Sequence, residues 1–371
     1  MRDRLNRLAL NVAAAVIALA FAAGITSVIL LATGHGPWDA FHKMWDYGTQ
    51  ANSMASILNG ATTYYLAAIA VAIGFRMNLF NIGVDGQYRL AAMLAAAFGG
   101  SVALPSGLRQ LAIIVVAMLV GAFWAGIVGI LKVTRGVSEV ISSIMLNAVA
   151  TGIVAYLLNP KRLAVANGNN VNTKPIPSSG QVGGISLISG ADTKVYGLLF
   201  LAIGVGVGFQ ILISQTRFGF DLRATGRSSS AAESSGVNVK RMVFTTMLIS
   251  GAIAGLVGMP NLLGESHQYS LDFPAGLGFT GIAIALLGRN NPIGIAFGSL
   301  LWAFLDQSSL ILDLNNIPKE IVQITQGVVV LSVVVTYELM RRLGLVRQQR
   351  AVGRALARPR AGTPAPEGAS A

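Results

Sequence analysis

The chain is 371 residues long, 53% hydrophobic, 11% charged and free of Cys. A soluble domain carries about 25% charged residues, so this composition excludes a water-facing globule, a disordered chain and a coiled coil. Without Cys there is no disulfide scaffold, thiolate nucleophile or Cys-ligated metal centre, and the net charge of +12 has to be explained by where the basic residues fall.

A helix crosses ~30 Å of hydrocarbon with about 20 mostly apolar residues. In chain order the segments that fit are 8–33, 57–75, 79–98, 111–131, 140–158, 195–213, 242–263, 275–288, 292–312 and 320–340. The expected fold is all-α: a polytopic transmembrane helix bundle of about 10 spans. Segment 8–33 has a basic flank but too long an apolar run for a signal peptide, and it reads as an uncleaved anchor. Segment 79–98 carries Asp85 and Arg89, and 275–288 is short, so both are candidates for broken or re-entrant helices. With the N-terminus in the cytoplasm, 19 of the 27 Lys and Arg fall inside and 7 outside, with Arg89 in a span. That asymmetry is the positive-inside pattern and puts both termini in the cytoplasm. The basic excess is therefore mainly orientation, and no nucleic-acid partner is expected.

The membrane domain spans 1–343, and 344–371 reads as a disordered basic cytoplasmic tail rich in Arg, Ala and Pro. Gly series at 121, 126 and 129, at 204, 206 and 208, and at 251, 255 and 258 suit close helix packing in lipid. Ile69–Asn78 (IAVAIGFRMN) and Ile282–Asn291 (IAIALLGRNN) share Ile, Ala, Ala, Arg and Asn at an offset of 213, either by chance or as a parallel repeat. Residues 159–193 form the long outer connection, open to solvent or to an external partner.

The long inner connection, 215–241, carries the best functional signal. Ser230-Ala231-Ala232-Glu233 is a capping box, and Gly236 suits a left-handed stop. The spacing predicts a helix of barely two turns, too short to persist undocked. Its small residues Ala231 and Ala232 allow close approach to a groove, and Arg223 and Arg227 offer forked donors to carboxylates.

Charges inside spans default to the bundle interior or a wet path. Asp85 and Arg89 are spaced to pair at i, i+4; alternatively Asn81, Asp85 and Gln87 line a substrate path, with Asn147, Gln323 and Gln326 adding donors and acceptors. Interhelical hydrogen bonding would use the same residues. Glu139 lies beside Lys132 and Arg135, for a local ion pair or a partner contact. His35, His42 and His267 all fall in outer loops, and neither catalytic residues nor metal ligands are expected.

GFDLRATGRSSSAAESSGVNVKR (219–241) resembles the cytoplasmic coupling loop of permease subunits of ATP-binding-cassette (ABC) importers. FNIGVDGQ (80–87), EVISSIMLNAVA (139–150) and GFTGIAIALLGRNNPIG (278–294) resemble matching segments of the nucleoside/simple-sugar branch, in order, over roughly 70–340. Asp85 stands where that branch often has Glu. In length the chain is similar to the larger of two paired nucleoside permeases.

The resemblance implies a multi-pass subunit of the bacterial inner membrane that moves a nucleoside or simple sugar. It implies an extracytoplasmic binding lipoprotein, a second permease subunit in a homo- or heterodimer, and separate ATPase subunits. The residues it assigns to ATPase coupling are Gly219, Asp221, Arg223, Gly226, Arg227, Ala231, Ala232, Glu233 and Gly236. The chain has no G-x-x-x-x-G-K-[ST] loop, so ATP is expected on the partner and no cofactor on this chain. An ion-coupled secondary transporter with Asp85 as the coupling site is the alternative, and a membrane scaffold the third reading.

Overall fold

A computed structural model of the chain describes residues 2–356 apart from Asn169 and Lys319. Helix α1 (Arg2–Ala32) turns through 117° into α2 (Pro37–Gly48), a helix that begins at a Pro with preset φ. There follow α3 (Ala51–Phe75), α4 (Val84–Ser101), α5 (Leu108–Arg135) and α6 (Glu139–Leu157). A strap between α6 and the next helix carries β1 (Ala164–Asn167), β2 (Asn170–Thr173), β3 (Gly184–Ile185) and β4 (Val195–Tyr196). The second half holds α7 (Leu198–Gln215), α8 (Arg217–Arg227), α9 (Ser229–Ser234), α10 (Val239–Leu256) and α11 (Met259–Asn261), the last running into a π turn at Leu262–Ser266. It closes with α12 (Leu277–Leu287), α13 (Pro292–Asp313) and α14 (Glu320–Leu356).

About ten crossings are expected from hydropathy, but among the described residues seven helices are long and apolar enough, or eight with the bent α1/α2 pair. The two shortfalls are the segments with a polar or truncated pattern. The expected 79–98 span becomes α4, whose first two turns hold Asp85, Gln87 and Arg89; the expected 275–288 span becomes the 11-residue α12. The chain is mostly helical, as expected, and adds two short antiparallel pairs between α6 and α7: β1 with β2, and β3 with β4. Strands of two to four residues leave no periodicity to read. Helix α14 runs past 343 to Leu356, since Arg, Gln, Leu and Ala favour helix. The remainder of the expected tail, 357–371, lies outside the described residues.

The core centres on α3, whose residues Leu66–Gly74 are all buried. An Ala-rich segment hydrophobic all round belongs inside a bundle. Against it lie α12, α13 and α10. Helices α5 and α10 cross at the expected Gly series: a Cβ on Gly121 would sit 2.2 Å from the Gly251 carbonyl oxygen, and one on Gly255 2.1 Å from that of Ala117. Small residues are what permit this approach. The two similar decapeptides run side by side in the same direction. Gly281 abuts Ala67, and Arg76 Nη2 donates to the Asn290 carbonyl at 2.6 Å.

The strap that carries the four strands is docked on the bundle by its backbone. Thr173 N–H donates to Tyr269 O at 2.9 Å, Ile176 N–H to His267 O at 2.8 Å and Val182 N–H to Leu263 O at 2.9 Å. Arg109 Nη1 adds a bond to Ser179 Oγ at 2.8 Å, and Asn59 clamps the last strand by donating to Lys194 O and accepting from Tyr196 N–H.

Candidate translocation and coupling sites

Helix α3 ends where Asn78 takes a left-handed φ of 54°, a conformation Asn tolerates better than most residues. The chain then runs unwound through Leu79–Gly83 before α4 begins. Three side chains hold this break. Asn81 Nδ2 donates to Gln87 Oε1 (3.0 Å) and Ser250 Oγ (2.8 Å), while Asn81 Oδ1 accepts from Gln87 Nε2 (2.9 Å) and Gly83 N–H (3.1 Å). Every donor and acceptor of the Asn81 amide is thereby used. Ser250 passes its own proton to Ala70 O at 2.6 Å. From α6, Asn147 Oδ1 accepts from Gly86 N–H and Asn147 Nδ2 donates to Ile82 O, both at 2.9 Å.

The expected Asp85–Arg89 ion pair does not form. Asp85 Oδ1 instead accepts from Gly276 N–H at 2.8 Å, at the first residue of the α12 cap. The carboxylate therefore lies where two helix N-termini meet, each with unsatisfied N–H groups and a partial positive charge. That outcompetes a flexible partner on the same helix. Arg89 turns to α6 and donates through Nη1 to Thr151 Oγ1 at 3.2 Å. Tyr88 donates to Pro274 O at 2.7 Å and anchors the unwound segment that precedes α12.

Of the six substrate-path candidates, Asn81, Asp85, Gln87 and Asn147 thus converge on one joint. Gln323 and Gln326 lie apart on α14, where the neighbouring Thr325 bonds Thr26 of α1 at 2.9 Å. Gln323 is exposed, whereas Gln326 is buried with its Nε2 unpartnered. Ser250 and Gly276 belong to the joint and carry no signal in sequence, since their partners are remote in the chain. Glu139 forms the local ion pair with Lys132, at 2.7 Å.

The connection 215–241 folds as two helices rather than one. Thr216 caps α8 by accepting from Gly219 N–H at 3.0 Å. A Cβ on Gly219 would meet the Leu212 oxygen at 2.2 Å, so the α7–α8 turn needs glycine there. The expected capping box at Ser230 is displaced: Ser228 is the N-cap of α9, accepting from Ala231 N–H at 3.3 Å. With three consecutive serines any one can cap, and the end of α8 at Arg227 selects the first. Gly236 has φ +87°, and the Val237 N–H closes on Ala232 O as in a left-handed helix stop.

Of the proposed docking pair, Ala231 is exposed but Ala232 is only 4% exposed and faces the bundle. Gly226 seats α8 on the end of α3: a Cβ there would lie 2.4 Å from Arg76 O, and Asn78 Nδ2 donates to Gly226 O at 2.8 Å. Arg223 is half-buried near Arg76, whose guanidinium is held below its ordinary pKa by burial and then by the Arg223 charge. Asp221 is half-buried as well, while Arg227, Glu233 and Gly236 are exposed, as is Phe220.

Residues 53–334 match the family described as branched-chain amino acid transport system / permease component. The guanosine ABC transporter permease protein NupP of Bacillus subtilis is 30% identical over 361 residues, covering 95% of this chain and all of that one. The nucleoside ABC transporter permease protein NupB of Lactococcus lactis is 29% identical over 86% of this chain and 90% of its own length. The glucose ABC transporter permease protein TsgB13 of Haloferax volcanii is 30% identical over 90% of each chain. No solved structure matches. The chain belongs to this permease family, and it is the membrane-embedded permease subunit of an ABC importer, a transport component rather than an enzyme.

Proposed function

We propose that this permease carries a nucleoside across the membrane, driven by an ATPase subunit that grips the 216–236 segment. The observation that carries the coupling role is the seating of α8 through Gly226 and Asn78 on the end of α3, with Arg76 tied to Asn290 at the end of α12. A push on α8–α9 then reaches α3 and the short α12 together, and through α12 the Asp85–Gly276 joint. Arg227, Ala231, Glu233 and Gly236 form the partner-facing surface; Gly219, Asp221, Arg223, Gly226 and Ala232 give the lever its shape. The lever works against a pathway framed by Asn81, Asp85, Gln87 and Asn147, with Gln323 and Gln326 further along α14. In this reading α4 and α12 are two of about ten crossings, unwound near mid-membrane as in other transporters. Both termini are cytoplasmic, a second permease subunit completes the passage, and an extracytoplasmic binding lipoprotein delivers the solute.

Two of the similar proteins are named for guanosine or nucleosides, which supports the substrate class. The glucose permease of comparable identity supports a simple sugar as the second reading. Liposomes containing the permeases and ATPase, supplied with binding protein, should take up nucleoside only with ATP, and excess unlabelled nucleoside but not glucose should compete. Gradient-driven uptake by this chain alone would overturn the coupling role; competition by glucose alone would overturn the substrate.

A further inference from the structure

We propose that Arg89 is a solute-contacting residue, lining a water-filled passage on the α4/α6 face and holding the transported molecule by a paired hydrogen-bond acceptor edge. The starting point is depth. Thr151, the partner of Arg89, lies roughly 18 Å along α6 from Glu139 and roughly 9 Å from Leu157, at 1.5 Å per residue. That is inside the hydrocarbon layer, where a charged side chain must face protein or water.

Within the chain the charge of Arg89 is not neutralised. Among the described residues Arg89 forms no ion pair, and Asp85, one turn away, is engaged with Gly276. Its partners are two neutral hydroxyls, those of Thr151 and Tyr269. Its Nε is buried without a partner, while the side chain as a whole remains half-exposed.

The surface in front of Arg89 differs in side-chain size from the apolar Ile141, Ile144, Met145, Val149 and Tyr156 that α6 exposes elsewhere. α6 is the least buried spanning helix, 22% of its window against 72% for α3. Next to Arg89 it exposes Ala148, Thr151, Gly152 and Ala155, small residues that leave room in front of the guanidinium. A guanidinium has five N–H donors in a rigid fork. One is spent on Thr151 and one on Tyr269, and with Nε buried the two that remain can meet two acceptors in one plane, as a purine presents with its 6-oxo group and N7. This part rests on the nucleoside reading; the aqueous position of Arg89 does not.

The chain has no Cys of its own, so introduced cysteines report without background. In the assembled complex in membranes, Thr151→Cys and Arg89→Cys should react with a membrane-impermeant methanethiosulfonate reagent. Phe123→Cys, at a 68% exposed apolar position on α5, should not. Equal inertness of all three would overturn the passage. For recognition, Arg89→Lys keeps the charge but loses the fork. It should raise KM for inosine about ten- to a hundred-fold, the equivalent of one bidentate pair, and leave purine riboside, which lacks the 6-oxo group, within about twofold. ATPase co-purification should be unchanged. Equal loss for both nucleosides would overturn the recognition role. If the wild-type complex carries neither nucleoside, the nucleoside reading and the purine contact fall together, and the labelling still decides whether Arg89 lines the passage.

Discussion

Asp85 Oδ1 accepts the Gly276 N–H at 2.8 Å, across 191 residues of sequence, and so joins the first turn of α4 to the cap of α12. A Cβ on the neighbouring Gly278 would stand 2.5 Å from the Asp85 nitrogen, so the two helix starts touch through backbone as well. Both helices are shorter or more polar than a full crossing requires, and each supplies the partner the other lacks. The joint is a structural bond before it is anything else, and that separates it from a proton-coupling carboxylate.

Asp85→Asn keeps an oxygen for Gly276 and should retain ATP-driven uptake within a few-fold. Asp85→Ala leaves a part-buried N–H unpaired, at a cost of up to about 1–3 kcal/mol. A thermal melt of the purified complex should show a clear fall in Tm for the Ala variant and little change for the Asn variant. Abolished uptake by a stably folded Asp85→Asn protein would favour a titrating role instead.

Asn147→Ala orphans both Gly86 N–H and Ile82 O at the unwound stretch. The expected loss is about 1–3 kcal/mol for each unsatisfied group, read as a Tm drop larger than that of Thr151→Ala.

The α5–α10 crossing makes a sharper contrast. Gly255→Ala must push apart two backbones that approach within contact of its Cβ, whereas Gly204→Ala on α7 meets nothing within 4 Å. Overpacking costs typically about 1–3 kcal/mol. Melting curves should place the first variant well below the wild type and the second level with it.

The two alanines of α9 should behave differently. Ala231→Glu projects from the exposed side and should abolish ATPase co-purification with the permease's Tm intact. Ala232→Glu buries a carboxylate against the chain's own bundle and should lower Tm as well. Identical behaviour would mean that α9 is not seated as described.

Gly226→Val should uncouple. Its added atoms collide with Arg76 O and Met77 at the end of α3, so ATPase can still bind through α9 while its movement is no longer delivered to α3. ATP hydrolysis without uptake is the expected measurement.

Much of this was legible from single residues and their neighbours. The polar interruption at Asp85 and Arg89 marked α4, the shortness of 275–288 marked α12, and Gly121, Gly251 and Gly255 marked the close crossing. Gly236 was found as a left-handed stop because its signal lies within one turn. The Ser230 capping box failed for the same local reason: three adjacent serines offer equivalent caps, and the choice of Ser228 depends on where α8 stops. The inward face of Ala232, the Arg89–Thr151 contact and the short β pairs had no local signal.

By itself the sequence determined a membrane-embedded helical chain, the positions of most apolar helices and the family. Bilayer thickness, charge asymmetry and motif order act on contiguous residues and can be read along a line. Only the tertiary structure decided that Asp85 serves Gly276 rather than Arg89, that Asn81 and Gln87 spend their amides on each other and on Ser250, and that Arg89 is left facing outward from α4. A buried polar group takes whichever partner satisfies it best in three dimensions, and here those partners come from helices far apart in the chain.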